Sequence, residues 1–164
     1  NKSKLAQKDI DADWTKKNGE RHFGYKDHVK CDADSKLITN YSVTSASVHD
    51  SQRCLVFIGQ EDEVLYADSA YSGKPIALAL PENCKNQICE KGYRNSPLTS
   101  EQKMNNRRKS RIRCRIEQIF GFMTGAMHGI TIRSIGITRA WMNIGITNLV
   151  YNFCRYSYLK RASA

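Results

Sequence analysis

Polar and apolar positions recur with two different periods along this chain, and the change from one to the other lays out its elements. Residues 1–20 are polar, with alternating acids at Asp9, Asp11 and Asp13, then Trp14 and the turn signal Asn18-Gly19. The run Phe23–Lys30 reads as a strand, the cluster from Asp32 to Lys36 as a turn, and Leu37–Thr44 as a second strand with Tyr41 and Val43 on one face. Together they predict an antiparallel hairpin. Ser47 or Asp50 caps a helix through Leu55, Val56 and Ile58. The short apolar run Glu63–Ala67 reads as a buried, parallel-type strand ending at Asp68, and in open α/β sheets ligands collect at such strand ends. A helix with Pro75 in its first turn follows through Ile76, Leu78 and Leu80, and Gln87–Tyr93 reads as an edge strand.

Beyond Pro97 the period becomes helical. Thr99 or Ser100 caps a long helix in which Ile112, Ile116, Ile119 and Met123 fall at i, i+4, i+7 and i+11, a core-facing stripe. Glu117 sits beside that stripe, one turn after Arg113. Gly121, Gly125 and Gly129 punctuate the helix end. A last helix over residues 138–158 has its apolar stripe along Met142, Ile146, Leu149, Phe153 and Tyr156. The order β-β-α-β-α-β-α-α predicts an α/β fold, a mixed sheet with helices on its faces.

Composition sharpens this. A chain of 164 residues, 40% of them hydrophobic, is long enough for one domain with a real core, and no stretch approaches a membrane span. The net charge of +10 is concentrated: residues 101–164 carry twelve basic and two acidic side chains, against nine and eight in residues 1–50. Six of the nine residues from Arg107 to Arg115 are basic. Such a field suits a nucleic-acid backbone, and less specifically an anionic membrane surface. The six cysteines follow no zinc spacing and read as free thiols of a reducing cytoplasm, with Cys114 and Cys154 as small buried hydrophobes. His22 and His28 read as solvated hairpin residues, His49 as a helix-capping or orienting group, and Trp14 and Trp141 as core or domain contacts.

Two acids stand out, Asp68 at a strand end and Glu117 in the basic helix. Two-metal phosphoryl transfer needs several oxygen ligands converging on Mg²⁺ or Mn²⁺ ions about 3.5–4 Å apart. Spacing alone does not bring these two acids together. The runs Asp11–Lys17, Phe23–His28, Val43–Asp50, Tyr66–Tyr71 and Arg113–Gly121, in this order, closely resemble the catalytic domain of bacterial insertion-sequence DDE transposases.

The resemblance implies an RNase H-like fold spanning residues 1–164 as a single, incomplete catalytic domain: a polar lead-in at 1–20, the hairpin, Asp68 strand and Glu117 helix over 21–124, and the C-terminal helix. Asp68 and Glu117 match the second and third acids of the metal site, which takes Mg²⁺ or Mn²⁺. Arg113 matches a residue that contacts DNA phosphate. Arg107, Arg108, Lys109, Arg111 and Arg115 are expected to help neutralise the backbone, and Tyr25 and Lys26 on the hairpin to reach DNA. Ser110 and Thr124 stand where the family usually has Tyr and Lys. The family's first catalytic Asp belongs to a strand upstream of the hairpin, so the chain is expected to be a C-terminal part, truncated at the N-terminus and inactive alone. The implied activity of the parent is metal-dependent cleavage and strand transfer of double-stranded DNA at insertion-sequence ends, by a homodimer in the bacterial cytoplasm, at the nucleoid, without a membrane. A non-catalytic DNA-binding remnant and a stand-alone RNase H-like nuclease are the competing functions.

Overall fold

A computed structural model describes residues 7–17 and 19–163. The polar start at residues 1–4, and Asn18 of the expected Asn-Gly turn, lie outside the described residues. The fold is mixed α/β, with sheet and helices as an RNase H-like architecture requires, and its packing divides into two units. The first comprises residues 1–50 and 119–164, the second residues 51–118.

In the first unit β1 (Asp13–Lys17), β2 (Glu20–Cys31) and β3 (Ile38–Ser45) form an antiparallel sheet in that order. The hairpin was legible in the sequence; β1 was not, and the expected polar lead-in is partly a strand. It is an edge strand whose side chains are mostly exposed, so it carries no alternating apolar signal. Gly19, at φ 88°, supplies the left-handed residue that a tight hairpin turn needs. Gly24, at φ 144°, sits where β2 exchanges partners: it pairs with Asp13 of β1, and its carbonyl accepts from Ala46 beyond β3. The β2–β3 turn is organised by Asp32, whose carboxylate accepts from the Ser35 backbone N–H at 2.6 Å.

The last helix of the chain, Ile137–Ala162, packs on this sheet and corrects one expectation. Its buried row is Ala140, Ile144, Asn148 and Tyr151, while Met142, Ile146, Leu149, Phe153 and Tyr156 are all more than half exposed. The buried row mixes apolar Ala140 and Ile144 with hydrogen-bonding Asn148 and Tyr151. Val43, Ala140 and Ile144 form the buried centre, with Tyr25, Tyr41, Ile130 and Ile132 around it. Gly145 lies so close to the Tyr41 ring that an added Cβ would fall 2.9 Å from the phenolic carbon. Asn152 clips the start of β3, accepting from the Ile38 N–H and donating to the Ile38 carbonyl, both at 2.8 Å. The helix start is fastened to the N-terminal segment: the Gly136 N–H donates to Asp9 and the Ile137 N–H to Asp11, placing two acids at the positive end of the helix.

In the second unit helix α1 (Ser51–Phe57) leads to β4 (Val64–Leu65), a 3₁₀ turn at Ser69–Tyr71, α2 (Lys74–Ala79) and β5 (Lys85–Asn86). β4 and β5 pair in parallel, as the apolar run implied, but only two residues of each do so, and Val64 is exposed rather than buried. The edge strand expected over Gln87–Tyr93 is instead β5 followed by irregular chain, with one isolated bridge between Tyr93 and Ser96. Cys54, Ile76 and Ile88 make the small core here. Helix α3 (Ser100–Arg113) opens on the capping box Thr99–Gln102, and α4 (Arg115–Gly125) follows, so Ile137–Ala162 is α5.

The single long basic helix of the sequence reading is thus two, broken at Cys114. The break falls inside the densest run of basic residues, between Arg113 and Arg115. The expected stripe is buried fully only at Ile119 and Met123. All six cysteines are free as expected, yet Cys154 is exposed and Cys114 half-buried rather than both being core residues. Trp14 is likewise no core residue: it is exposed, its ring 5.3 Å from that of Phe23 on the β1–β2 ribbon.

Candidate metal and nucleic-acid site

Asp68 follows β4 directly. The β4–β5 ladder runs on beyond the two strands, with Gln87 N–H donating to the Leu65 carbonyl at 2.9 Å and Cys89 N–H to the Ala67 carbonyl at 3.0 Å. Asp68 is therefore the first residue past the last rung. Its exposed carboxylate accepts from the Ser69 N–H and caps the 3₁₀ turn.

The same segment after β5 receives helix α3. Asn106 accepts from the Glu90 N–H and donates to the Glu90 carbonyl, both at 2.9 Å. Lys109 donates to the Ile88 carbonyl at 3.0 Å, with the Glu90 carboxylate 4.0 Å away. The Cys89 thiol lies 3.7 Å from the Ser110 hydroxyl. So the residues that extend the Asp68 ladder also anchor the helix that leads to Glu117. Within the unit, one short segment fastens both.

Glu117 occupies the first turn of α4, where the helix dipole favours an anion. Its side chain is 61% exposed, and its partner is Arg113, Nη2 to Oε1 at 2.9 Å. Arg107, Arg108 and Arg111 are exposed on α3, whereas Arg115 is half-buried. Lys109, placed by its sequence among the DNA-facing cations, has its ammonium directed at Ile88 and Glu90 instead.

The hairpin candidates are also engaged internally. The Tyr25 hydroxyl donates to Asp9 at 2.7 Å; burial and that carboxylate push its pKa well up, so it stays a neutral donor. Lys26 donates to the Val48 carbonyl at 2.8 Å and lies 3.4 Å from Asp50. His28 is buried rather than solvated, with Nε2 2.8 Å from the Thr44 hydroxyl and Nδ1 3.6 Å from Asp50. The cluster Lys26–His28–Asp50 escaped sequence reasoning. The alternation of β2 puts the first two on one face, but only the fold brings Asp50 to them.

Asp68 and Glu117 are oxygen donors of the type a hard divalent cation takes. Among the described residues, no group of three or more His, Cys, Asp or Glu comes together as a metal cluster, so the donor type fits and the donor number falls short. Nor is any helix among them long and apolar enough to cross a membrane.

Comparison with known proteins points in one direction. The transposase DDE domain family matches residues 2–153. The chain is 34% identical over 117 residues to the transposase for insertion sequence element IS1106 of Neisseria meningitidis serogroup B, a match covering 70% of this chain and 40% of that protein. This chain thus spans well under half the length of that relative. No solved structure matches.

Proposed function

The chain belongs to the DDE transposase family, and from that premise we propose that it contributes two acids, Asp68 and Glu117, to the divalent-metal site of a protein that cuts and joins DNA at insertion-sequence ends. A further oxygen ligand would complete that site. Bound Mg²⁺ or Mn²⁺ would activate the attacking oxygen and stabilise the leaving one. The chain's own residues do the positioning. The exposed guanidinium groups of Arg107, Arg108 and Arg111, with Arg115, neutralise phosphates and set the register of the duplex without reading its sequence. Arg113 holds Glu117 charge-balanced until DNA and metal compete for them. The partner is double-stranded DNA, bound by a homodimer at the nucleoid.

The observation that carries this reading is the shared anchor. The ladder ending at Ala67, beside Asp68, runs through Cys89, and the flanking residues Ile88 and Glu90 grip the helix preceding Glu117. The test is Mg²⁺-dependent nicking of end-containing duplex DNA by the full-length protein and its Asp68→Ala and Glu117→Ala variants. Loss of nicking with DNA binding intact is expected; equal nicking in either variant overturns that residue's assignment. A non-catalytic DNA-binding role is the second reading, favoured by the incomplete set of acids. It requires binding without cleavage by the wild-type protein.

A further inference from the structure

Two acceptors are sealed inside the β2–α5 contact with no donor. Asn148 Nδ2 donates to Asp27 Oδ1 at 3.3 Å. The other oxygen of each group, Asp27 Oδ2 and Asn148 Oδ1, is buried and has no hydrogen-bond partner. A buried acceptor without a donor is costly, and an ionised carboxylate in that position more so. Neither atom exposes surface to bulk solvent. An amide oxygen takes no proton in mild acid; a buried carboxyl does.

We infer that Asp27 is held as the neutral acid, its Oδ2–H donating to Asn148 Oδ1 and closing a cyclic acid–amide pair that latches strand β2 to helix α5. One proton then satisfies both orphaned atoms. The pair is a latch that opens when the proton leaves, because the ionised carboxylate would leave both buried oxygens without a donor.

The surroundings agree. Val43, opposite Asp27 on β3, and Ile144, one turn before Asn148, are buried and apolar. The elements packed around Asp27 carry charged and titratable groups, among them Asp9, Tyr25, Lys26, His28, Tyr41, Arg133, Arg139, Tyr151 and Arg155; Lys26 and His28 are engaged with Asp50, and Arg139 donates to the Ile135 carbonyl. Asp9 is taken by Tyr25 and Gly136, Tyr41 stacks on Trp141, Tyr151 donates to the Lys36 carbonyl and Arg155 to the Ser35 carbonyl. Arg133 shares with Asp27 the wall of a cavity of about 410 Å³. None of these cations makes an ion pair with Asp27 among the described residues. Burial pushes the Asp27 carboxyl up to about 6, against a smaller opposing effect of the Asn148 hydrogen bond. Because the folded value lies above the unfolded one, the latch contributes fully below the ordinary carboxylate range and is lost as pH rises through about 6.

The test follows the side-chain carboxyl carbons of the isotope-labelled 164-residue chain by NMR as pH is raised, with thermal melts of wild type and Asp27→Asn alongside. The Asp27 signal should titrate near 6, far from the other aspartates. The amide of Asp27→Asn imitates the protonated acid, so this variant should match wild type in acid, melt above it at alkaline pH, and lose the wild-type decline between. An Asp27 signal titrating with the ordinary carboxylates overturns the inference, and so does an Asp27→Asn protein that melts below wild type at alkaline pH. Should the variant fail to fold, the wild-type titration decides alone. Neither measurement involves DNA or metal, so the outcome is independent of the transposase reading.

Discussion

Arg113 and Glu117 face each other across the break between α3 and α4, guanidinium to carboxylate at 2.9 Å, with the acid largely in solvent. An exposed i,i+4 pair of this kind contributes only about 0.3–0.5 kcal/mol to stability. Arg113→Ala should therefore leave the melting temperature nearly unchanged. If Arg113 also meets phosphate, the variant should lower the salt slope of duplex binding by about one. Melting by circular dichroism and anisotropy titrations at several salt concentrations check both halves.

Lys109 and Arg108 are neighbours in sequence with opposite expected phenotypes. Lys109→Ala leaves the Ile88 carbonyl without its donor and should cost about 1–2 kcal/mol, with little change in salt slope. Arg108→Ala removes an exposed cation and should change stability by less than about 0.5 kcal/mol while weakening DNA binding at every sequence tested. Denaturant melts paired with binding isotherms separate the two.

Asn106 and Asn152 each bracket a single residue, donating to its carbonyl and accepting from its N–H, as a neighbouring strand would. Alanine at either position removes two hydrogen bonds at once and should cost about 1–3 kcal/mol. Asn152→Ala should expose the Ile38 amide to hydrogen exchange, and Asn106→Ala the Glu90 amide. Exchange rates that stay unchanged at those two amides would refute the clip.

Asp9 is the acid-sensitive fastening of the first unit. Slight burial would raise its pKa, but hydrogen bonds from the Tyr25 hydroxyl and from the backbone of Gly136, Asp11 and Ala12 outweigh it and hold the carboxyl below the usual range. A depressed folded value means stability present above the unfolded pKa and lost as pH falls through the folded one. Asp9→Asn should thus be less stable than wild type at neutral pH, and the gap should close in acid. Melts of both proteins across that range measure it.

The hairpin, the parallel pairing of the Asp68 strand and a cap at Thr99 or Ser100 were legible because each rests on local signals: alternation, an apolar run, a capping residue before a helical run; the capping box with Gln102 decides for Thr99. The roles expected of Asp68 and Glu117 rest on resemblance, since spacing alone leaves both as ordinary acids. Strand β1 stayed hidden because an exposed edge needs no apolar face. The last helix misled for a related reason. Its longer apolar row points outward, while the sheet beneath it is bridged by Asn148, Tyr151 and Asn152 and needs Gly145 beside Tyr41. Polar residues did the docking there, and hydrophobic period alone cannot register that.

That outward row on α5 has a practical consequence at the bench. Met142, Ile146, Leu149, Phe153 and Tyr156 run up a helix about 39 Å long and meet solvent while the protein is folded. The native chain is therefore surface-active: it should adsorb to phenyl resin, gather at air–water boundaries and light up solvatochromic dyes before any unfolding begins. Dye-based thermal scans would start from a bright baseline and misreport every variant above, so circular dichroism is the readout to use.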